Sequence, residues 1–287
     1  MSSQPPKRRG KFIVFEGLDK AGKSTQCARL VSKLKSRGHT VESLRFPDRT
    51  TPIGRLIDGY LRSSSSSSAS TATAYNTSNS HDKEEHGSAT HTLPPSHSPS
   101  DQAIHLLFSA NRWEHAAAIE SILTSGTSII CDRYYYSGCV YSAAKGIPGL
   151  DLAWARAPDV GLPRPDLCLL LDVSADVAMK RAGAADGDES HSITSKTATA
   201  GVSTQSETSQ ERYETLAMQS RVRQLFEELR SGGGSDNHTD EADDTVVVDA
   251  SASFEKVEEE ILQRVLRVFE EVDAAGGEAP LRRVRAW

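Results

Sequence analysis

Few cysteines, few aromatic residues and no long apolar run mark this sequence of 287 residues. Its four cysteines, Cys27, Cys131, Cys139 and Cys168, show no CxxC spacing and fall in apolar or helical contexts. They read as reduced, buried thiols rather than as a disulfide framework or a zinc site. No stretch approaches the roughly 18 apolar residues of a membrane span, and the N-terminal residues lack the apolar core of a secretory signal. The expectation is a soluble, cytoplasmic protein with no membrane partner. Lys7, Arg8 and Arg9 read first as a solvated tail and second as a weak nuclear signal. An excess of positive charge is missing too: 33 Lys+Arg stand against 39 Asp+Glu, a net charge of −6, which argues against a nucleic-acid partner. With 37% hydrophobic and 6% aromatic residues, a polar excess must sit somewhere in the chain.

It sits in three segments without apolar periodicity, residues 63–100, 183–210 and 231–244. The first opens on a serine run, the second is rich in Ser, Thr, Ala and Gly, and the third turns from glycine to acid. Their charges of −2, −3 and −5 leave +4 on the other 207 residues, a mildly basic body about the size of one domain. These compositions predict disordered insertions. Lengthening a loop from roughly 10 to 40 residues costs only about 1.2 kcal/mol of closure entropy, so a fold tolerates them. The expected organisation is a flexible tail over 1–10 and one domain over 11–287, interrupted at these three places. Six of the nine histidines fall in the segments, four of them evenly spaced from His81 to His97. Without flanking cysteines or structure to hold a geometry, they read as solvated rather than metal-binding.

Between the segments, strand and helix patterns alternate. Phe12–Phe15, Val41–Phe46, Ser128–Cys131, Asp166–Leu171 and Thr245–Val248 read as strands, unbroken apolar runs that imply burial on both faces. Helices are expected from Gly22 to Gly38, over Ile53–Leu61, from a cap at Asp101 to Gly126, and from Phe254 to about Val272. Such alternation predicts an α/β fold with a parallel sheet flanked by helices.

Gly17-Leu-Asp-Lys-Ala-Gly22-Lys23-Ser24 fits GxxxxGK[ST], follows a strand and opens a helix. The glycines let successive backbone N–H groups turn inward around phosphate oxygens, and the helix start adds its positive dipole end. Lys23 is then expected to bridge the β- and γ-phosphates, with the Ser24 hydroxyl on Mg²⁺. Asp132-Arg133-Tyr134 ends a strand at the same carboxyl edge, where Asp132 can hold Mg²⁺ or its water and Arg133 can fork onto a transferring phosphoryl group. Phe46-Pro-Asp-Arg49 ends another strand on that edge, so enough cations converge for a second phosphate. No Asn-Lys-x-Asp follows the fourth strand, where the chain reads Leu171-Asp172-Val173-Ser174, so a GTPase is set aside.

Taken together, Glu16-Gly-Leu-Asp19-Lys-Ala-Gly-Lys-Ser-Thr-Gln26, Arg45-Phe-Pro-Asp-Arg49, Leu106-Leu-Phe108-Ser-Ala-Asn-Arg112-Trp, Asp132-Arg133-Tyr134 with Ser137, Gly138 and Tyr141, Pro158-Asp-Val-Gly-Leu-Pro163 and Glu211-Arg212-Tyr213-Glu214 resemble the thymidylate kinases. The resemblance implies the five-stranded fold of nucleoside monophosphate kinases and transfer of the ATP γ-phosphate to thymidine 5′-monophosphate, with ATP and Mg²⁺ bound and a homodimer as the usual assembly. It places ATP on Gly17, Lys20, Ala21, Gly22, Lys23, Ser24, Thr25, Arg181 and Arg212. Asp19 would meet the sugar 3′-hydroxyl, Arg49 and Arg133 the acceptor phosphate, Phe108 and Arg112 the face and edge of thymine, and Tyr141 would crowd the 2′ position. Phe46, Ser137 and Gly138 would complete the acceptor site, and Lys20, Lys23, Asp132 and Arg133 would serve the transfer. Phe108 and Arg112 are i and i+4 on one helix, which lets both grip one base. The chain departs from the pattern at Lys20, where eukaryotic-type members usually carry arginine, and in the long segment between Arg181 and Glu211 that interrupts the lid. A kinase for another monophosphate, such as uridylate, and a nucleotide-binding regulatory protein without transfer are the rival readings.

Overall fold

The structure is a computed structural model, and it describes residues 8–63, 99–174, 176–178, 181, 215–231, 239–274 and 280–287. Five parallel strands form one sheet: β1 Phe12–Gly17, β2 Val41–Arg45, β3 Ser128–Asp132, β4 Leu167–Asp172 and β5 Thr245–Asp249, in the order β2-β3-β1-β4-β5. All of β1 and β3 is buried, in keeping with their apolar runs. The two edge strands differ from the expectation of burial on both faces. Glu42 and Ser43 of β2 and Val247 of β5 are exposed, because an edge strand has a neighbour on one side only.

Helix α1 (Lys23–Ser36) starts at the glycine loop and α8 (Phe254–Ala274) packs on it, burying Val257, Ile261, Val265 and Phe269 at helical spacing. Helices α2 (Pro52–Ser63) and α3 (Asp101–Thr124) pack together, and α3 and α6 (Leu216–Arg230) pack on α4 (Tyr135–Ala143). Helix α5 (Leu152–Arg156) follows α4 and continues into a single 3₁₀ turn at Ala157–Asp159. The four cysteines are free and buried. The cap of α3 is Ser100, whose hydroxyl accepts from the Ala103 amide, rather than Asp101, which pairs with Lys145 at 2.7 Å.

Two expectations about polar chain are corrected. Arg9, assigned to the flexible tail, is buried and grips Asp166 with both terminal nitrogens at 2.8 and 2.7 Å. Of the acidic stretch 231–244, residues 240–244 form helix α7, whose Asp240, Glu241 and Asp244 are buried. Arg156 meets Glu241 at 2.7 Å, Arg164 pairs with Asp240 and Asp244, and Arg282 meets Asp244 at 2.9 Å. Carboxylates seldom enter a core without such pairing, and the partners come from α5, the loop before β4 and the C-terminal residues, distant in sequence. The rest of the three polar segments, including the spaced histidines, lies outside the described residues, apart from Ser63, residues 99–100, Ser231 and Thr239. Among the described residues no helix is long and apolar enough to cross a membrane.

Candidate active site

Strand order builds the site. Because β1 lies between β3 and β4, its carboxyl end brings the glycine loop beside Asp132, with Phe15 and Arg45 both in register with that residue. The loop needs its glycines. Gly17 has φ +132°, and a Cβ there would lie 2.4 Å from the Leu171 carbonyl oxygen; Gly22, at φ +94°, caps α1 in the left-handed region. Lys20 at φ 61° and Arg133 at φ 70° also occupy that region without being glycine.

Lys23 is buried and donates to the carbonyls of Gly17, at 3.0 Å, and Leu18. Burial and the neighbouring Arg133 push its ammonium down to about 7, against the pull of Asp19, Asp132 and Glu16. Among the described residues Lys23 makes no ion pair, and both its hydrogen bonds go to carbonyl oxygens. Ser24 donates to Asp132 Oδ2 at 2.5 Å, while Asp132 Oδ1 is buried without a hydrogen-bond partner among the described residues. An orphaned carboxylate oxygen beside a serine hydroxyl at a phosphate loop fits Mg²⁺, which takes one or two protein oxygens and completes its shell with water and phosphate.

Arg133 is held from both sides. One terminal nitrogen donates to Ser137 Oγ at 3.0 Å and the other pairs with Asp19. Burial disfavours its charge, but Asp19, Tyr141 and Glu16 together hold its pKa above the ordinary range. Asp19 also accepts from the Tyr141 hydroxyl at 2.9 Å and from Gln219 at 3.3 Å. Its carboxyl stays below the usual value: burial opposes that shift, and Arg133 and Lys23 outweigh burial.

Arg112 is seated differently. Its Nε and Nη2 donate to the two oxygens of Asp159 at 3.0 and 2.7 Å, and the pair is 2% and 0% exposed. Ser109 adds a third bond to Asp159 at 2.8 Å. Its positive charge is therefore matched inside the protein, and Nη1 is the nitrogen that Asp159 does not take. Helix α4 passes so close that a Cβ on Gly138 would lie 2.7 Å from Nη2 and 2.8 Å from Nη1. Arg49, by contrast, is more than a third exposed and pairs with Asp58 at 2.9 Å.

A cleft of about 920 Å³ joins these groups, within the range of a small-ligand site. Lys20, Gly22, Lys23, Ser24, Thr25 and Asp132 line one part of it; Asp19, Phe46, Arg49, Phe108 and Arg112 line another, with Arg133, Ser137, Gly138 and Tyr141. Arg181 also reaches the cleft and donates to the Ala250 carbonyl at 2.8 Å. Gly17 and Ala21 are not among the lining residues: Gly17 borders a neighbouring hollow of about 640 Å³ beside β4 and α6, and Ala21 is buried in the core. Arg212 lies outside the described residues.

Four residues in or around the site were given no role from the sequence, although Glu16 and Arg45 stand in motifs that carry the resemblance. Gln219 reaches Asp19 from α6, 200 positions away. Arg45 lines the cleft with Nε 3.9 Å from Asp132. His105, one turn before Phe108, is buried with Nδ1 2.7 Å from the Ser142 hydroxyl and is pushed down to about 4 by burial. Glu16 is fully buried, and burial raises its carboxyl despite bonds from Ser137, Tyr134 and the nearby Arg133. Only its place beside the loop glycine hinted at a role.

A parallel sheet with a phosphate loop, an adjacent strand-end Asp-Arg pair and a second cationic pocket in the same cleft defines a P-loop kinase of small phosphorylated substrates. The family model described as "Thymidylate kinase" matches residues 15–89 and 87–261. A thymidylate kinase from Arabidopsis thaliana is 36% identical over 260 residues, covering 91% of this chain and 72% of the relative. One from Homo sapiens is 37% identical over 254 residues, covering 88% and 89%. The solved thymidylate kinase of Candida albicans superposes with a TM-score of 0.61 at 28% identity, covering 96% of this chain and 98% of its own. The chain belongs to the thymidylate kinase family.

Proposed function

We propose that this protein transfers the γ-phosphoryl group of ATP to thymidine 5′-monophosphate, releasing ADP and thymidine diphosphate, a step towards dTTP. The observation that carries the reading is the single cleft in which a phosphate loop and a second set of cations, Arg49, Arg112 and Arg133, share one wall. An acceptor phosphate oxygen attacks the γ-phosphorus as the bond to the ADP oxygen breaks. That oxygen is already anionic, so no general base is required, and catalysis is alignment plus charge neutralisation.

In this reading the loop amides from Lys20 to Thr25 and the Lys23 ammonium bind the phosphates of ATP, and Arg181 and Arg212 serve its base end. Ser24 and Asp132 would hold Mg²⁺, which would supply charge neutralisation for the transferring phosphate. Arg133, with Lys20 and Lys23, neutralises the moving phosphoryl group, and Arg49 leaves Asp58 for the acceptor phosphate. Phe46, Ser137 and Gly138 border the acceptor. Phe108 stacks on the base, and Arg112, its charge already met by Asp159, offers a hydrogen bond suited to a carbonyl oxygen rather than to an anion. Asp19 receives the 3′-hydroxyl, and Tyr141, tied to Asp19, stands against a 2′-hydroxyl.

A homodimer belongs to the same proposal. Ala103, Leu106, Ala110, Trp113 and Ala117 recur at three and four residues along α3 as one apolar stripe, with Leu106 47% and Trp113 41% exposed. A self-complementary stripe is what a two-fold interface needs. The mass in solution, measured by light scattering, tests it.

A coupled assay of ADP release with thymidylate, deoxyuridylate and uridylate, with and without Mg²⁺, tests the activity. Thymidylate should turn over fastest, uridylate slowest, and chelation should abolish turnover. Asp132→Asn should raise the Mg²⁺ concentration needed for half-maximal rate about tenfold or more. Binding of both nucleotides without diphosphate formation would instead mark a regulatory nucleotide-binding protein.

A further inference from the structure

Glu16, on β1 just before the glycine loop, has no exposed surface. Removing a carboxylate from water costs several kcal/mol unless its oxygens are fully engaged, so its partners indicate its task. Glu16 Oε1 accepts from the backbone N–H of Tyr134 at 2.7 Å and of Ser137 at 3.2 Å, and Oε2 accepts from the Ser137 hydroxyl. Ser137 Oγ in turn accepts from Arg133 at 3.0 Å. The carboxylate thus binds the first turn of α4 and, through one hydroxyl, the arginine that precedes it. Arg133 sits at φ 70°, a conformation that costs a non-glycine residue on the order of 1–3 kcal/mol and persists only where its surroundings hold it. Its backbone N–H, 2.9 Å from the Phe15 carbonyl, is a second tie to β1 beside Glu16.

We propose that Glu16 is a positioning residue for phosphoryl transfer: by clamping the Tyr134 and Ser137 amides and the Ser137 hydroxyl, it holds the left-handed turn and the guanidinium of Arg133 at the rim of the phosphate loop. The inference rests on the proposed kinase reading. Glu16 touches neither nucleotide and acts through Arg133. Ser137 is then a bridge as well as a border of the acceptor site, and Asp19, on the far side of the guanidinium, is the contact that a bound phosphate can replace while Glu16 keeps its hold.

The test is a double-mutant cycle of Glu16→Gln, Arg133→Ala and both, with kcat and KM measured for thymidylate and ATP. A residue that acts through Arg133 has its effect only where Arg133 is present. Glu16→Gln should lower kcat about 10- to 100-fold in the native background, with smaller changes in KM, and less than about threefold in the Arg133→Ala background. Equal losses in both backgrounds overturn the inference. Should Glu16→Gln fail to fold, Ser137→Ala in the same cycle removes the hydroxyl bridge along with any contact of that hydroxyl to the acceptor, and the kcat effect, as distinct from thymidylate KM, should show the same coupling at smaller size; additivity in kcat there also overturns it. The ¹⁵Nε–H NMR signal of Arg133 provides a readout independent of turnover. It should report a guanidinium more restrained in the native protein than in Glu16→Gln or Ser137→Ala, where the pair with Asp19 remains, and an unchanged signal counts against Glu16. A native protein that makes no diphosphate would sink the kinase reading, while the NMR comparison still decides the tether.

Discussion

Gly138→Ala adds one methyl group at the point where α4 meets the Arg112–Asp159 pair. The new Cβ would lie 2.7 Å from Nη2, 2.8 Å from Nη1 and 3.0 Å from Cζ of Arg112. The guanidinium must retreat by about 0.7 Å to reach ordinary van der Waals separation. It cannot retreat freely, because Nε and Nη2 are bonded to Asp159 at 3.0 and 2.7 Å in a fully buried pair. A shift of that size bends or breaks one charge-assisted hydrogen bond, worth about 1.5–3 kcal/mol. It also moves Nη1, the nitrogen available to a base carbonyl. Gly138 is helical without a positive φ, so alanine recovers about 0.5–1 kcal/mol of helix propensity, and the net destabilisation should be about 1–2 kcal/mol. Thymidylate KM should rise by about 10- to 100-fold, KM for ATP should change little, and the midpoint of thermal unfolding should fall by about 2–8 °C. Steady-state kinetics with each nucleotide varied separately, alongside thermal melts, measure both. An unchanged thymidylate KM would refute the claim that the close approach of α4 seats Arg112.

Two further perturbations probe the loop and the acidic helix. Lys23, lowered to about 7 in the free protein, is largely neutral at pH 8 and should regain its charge when phosphates arrive. Binding of ATP at pH 8 should then take up close to one proton, at most about 0.9 from the titration curve, seen as a buffer-dependent enthalpy in titration calorimetry and lost in Lys23→Met. In the free protein the unfolded lysine binds its proton up to the ordinary value near 10.5, so unfolding takes up a proton between about pH 7 and 10 and this group's contribution to stability rises with pH across that window. Arg164→Ala leaves Asp240 and Asp244 buried without their shared partner. It should cost about 3 kcal/mol in urea unfolding, the lower end for a broken buried pair, because Arg282 and Arg285 remain. Neither KM should move, since α7 does not line the cleft.

Local rules made much of this protein legible. Unbroken apolar runs and helical spacing do not depend on distant partners, so the five strands, four of the helices and the loop from Gly17 to Ser24 could be read in order. Strand ends on one edge of a parallel sheet also foretold that Lys23, Arg49, Asp132 and Arg133 would share one cleft. What the chain could not disclose locally was who neutralises whom. The Arg112–Asp159 pair joins residues 47 positions apart, Arg9 meets Asp166 across 157, and Gln219 reaches Asp19 across 200. Whether a charged side chain is solvated or buried depends on a partner that only folding supplies. For that reason an acidic run that reads as a loop becomes the buried helix Asp240–Asp244, and Glu16, inconspicuous in the sequence, becomes the buried hub behind Arg133.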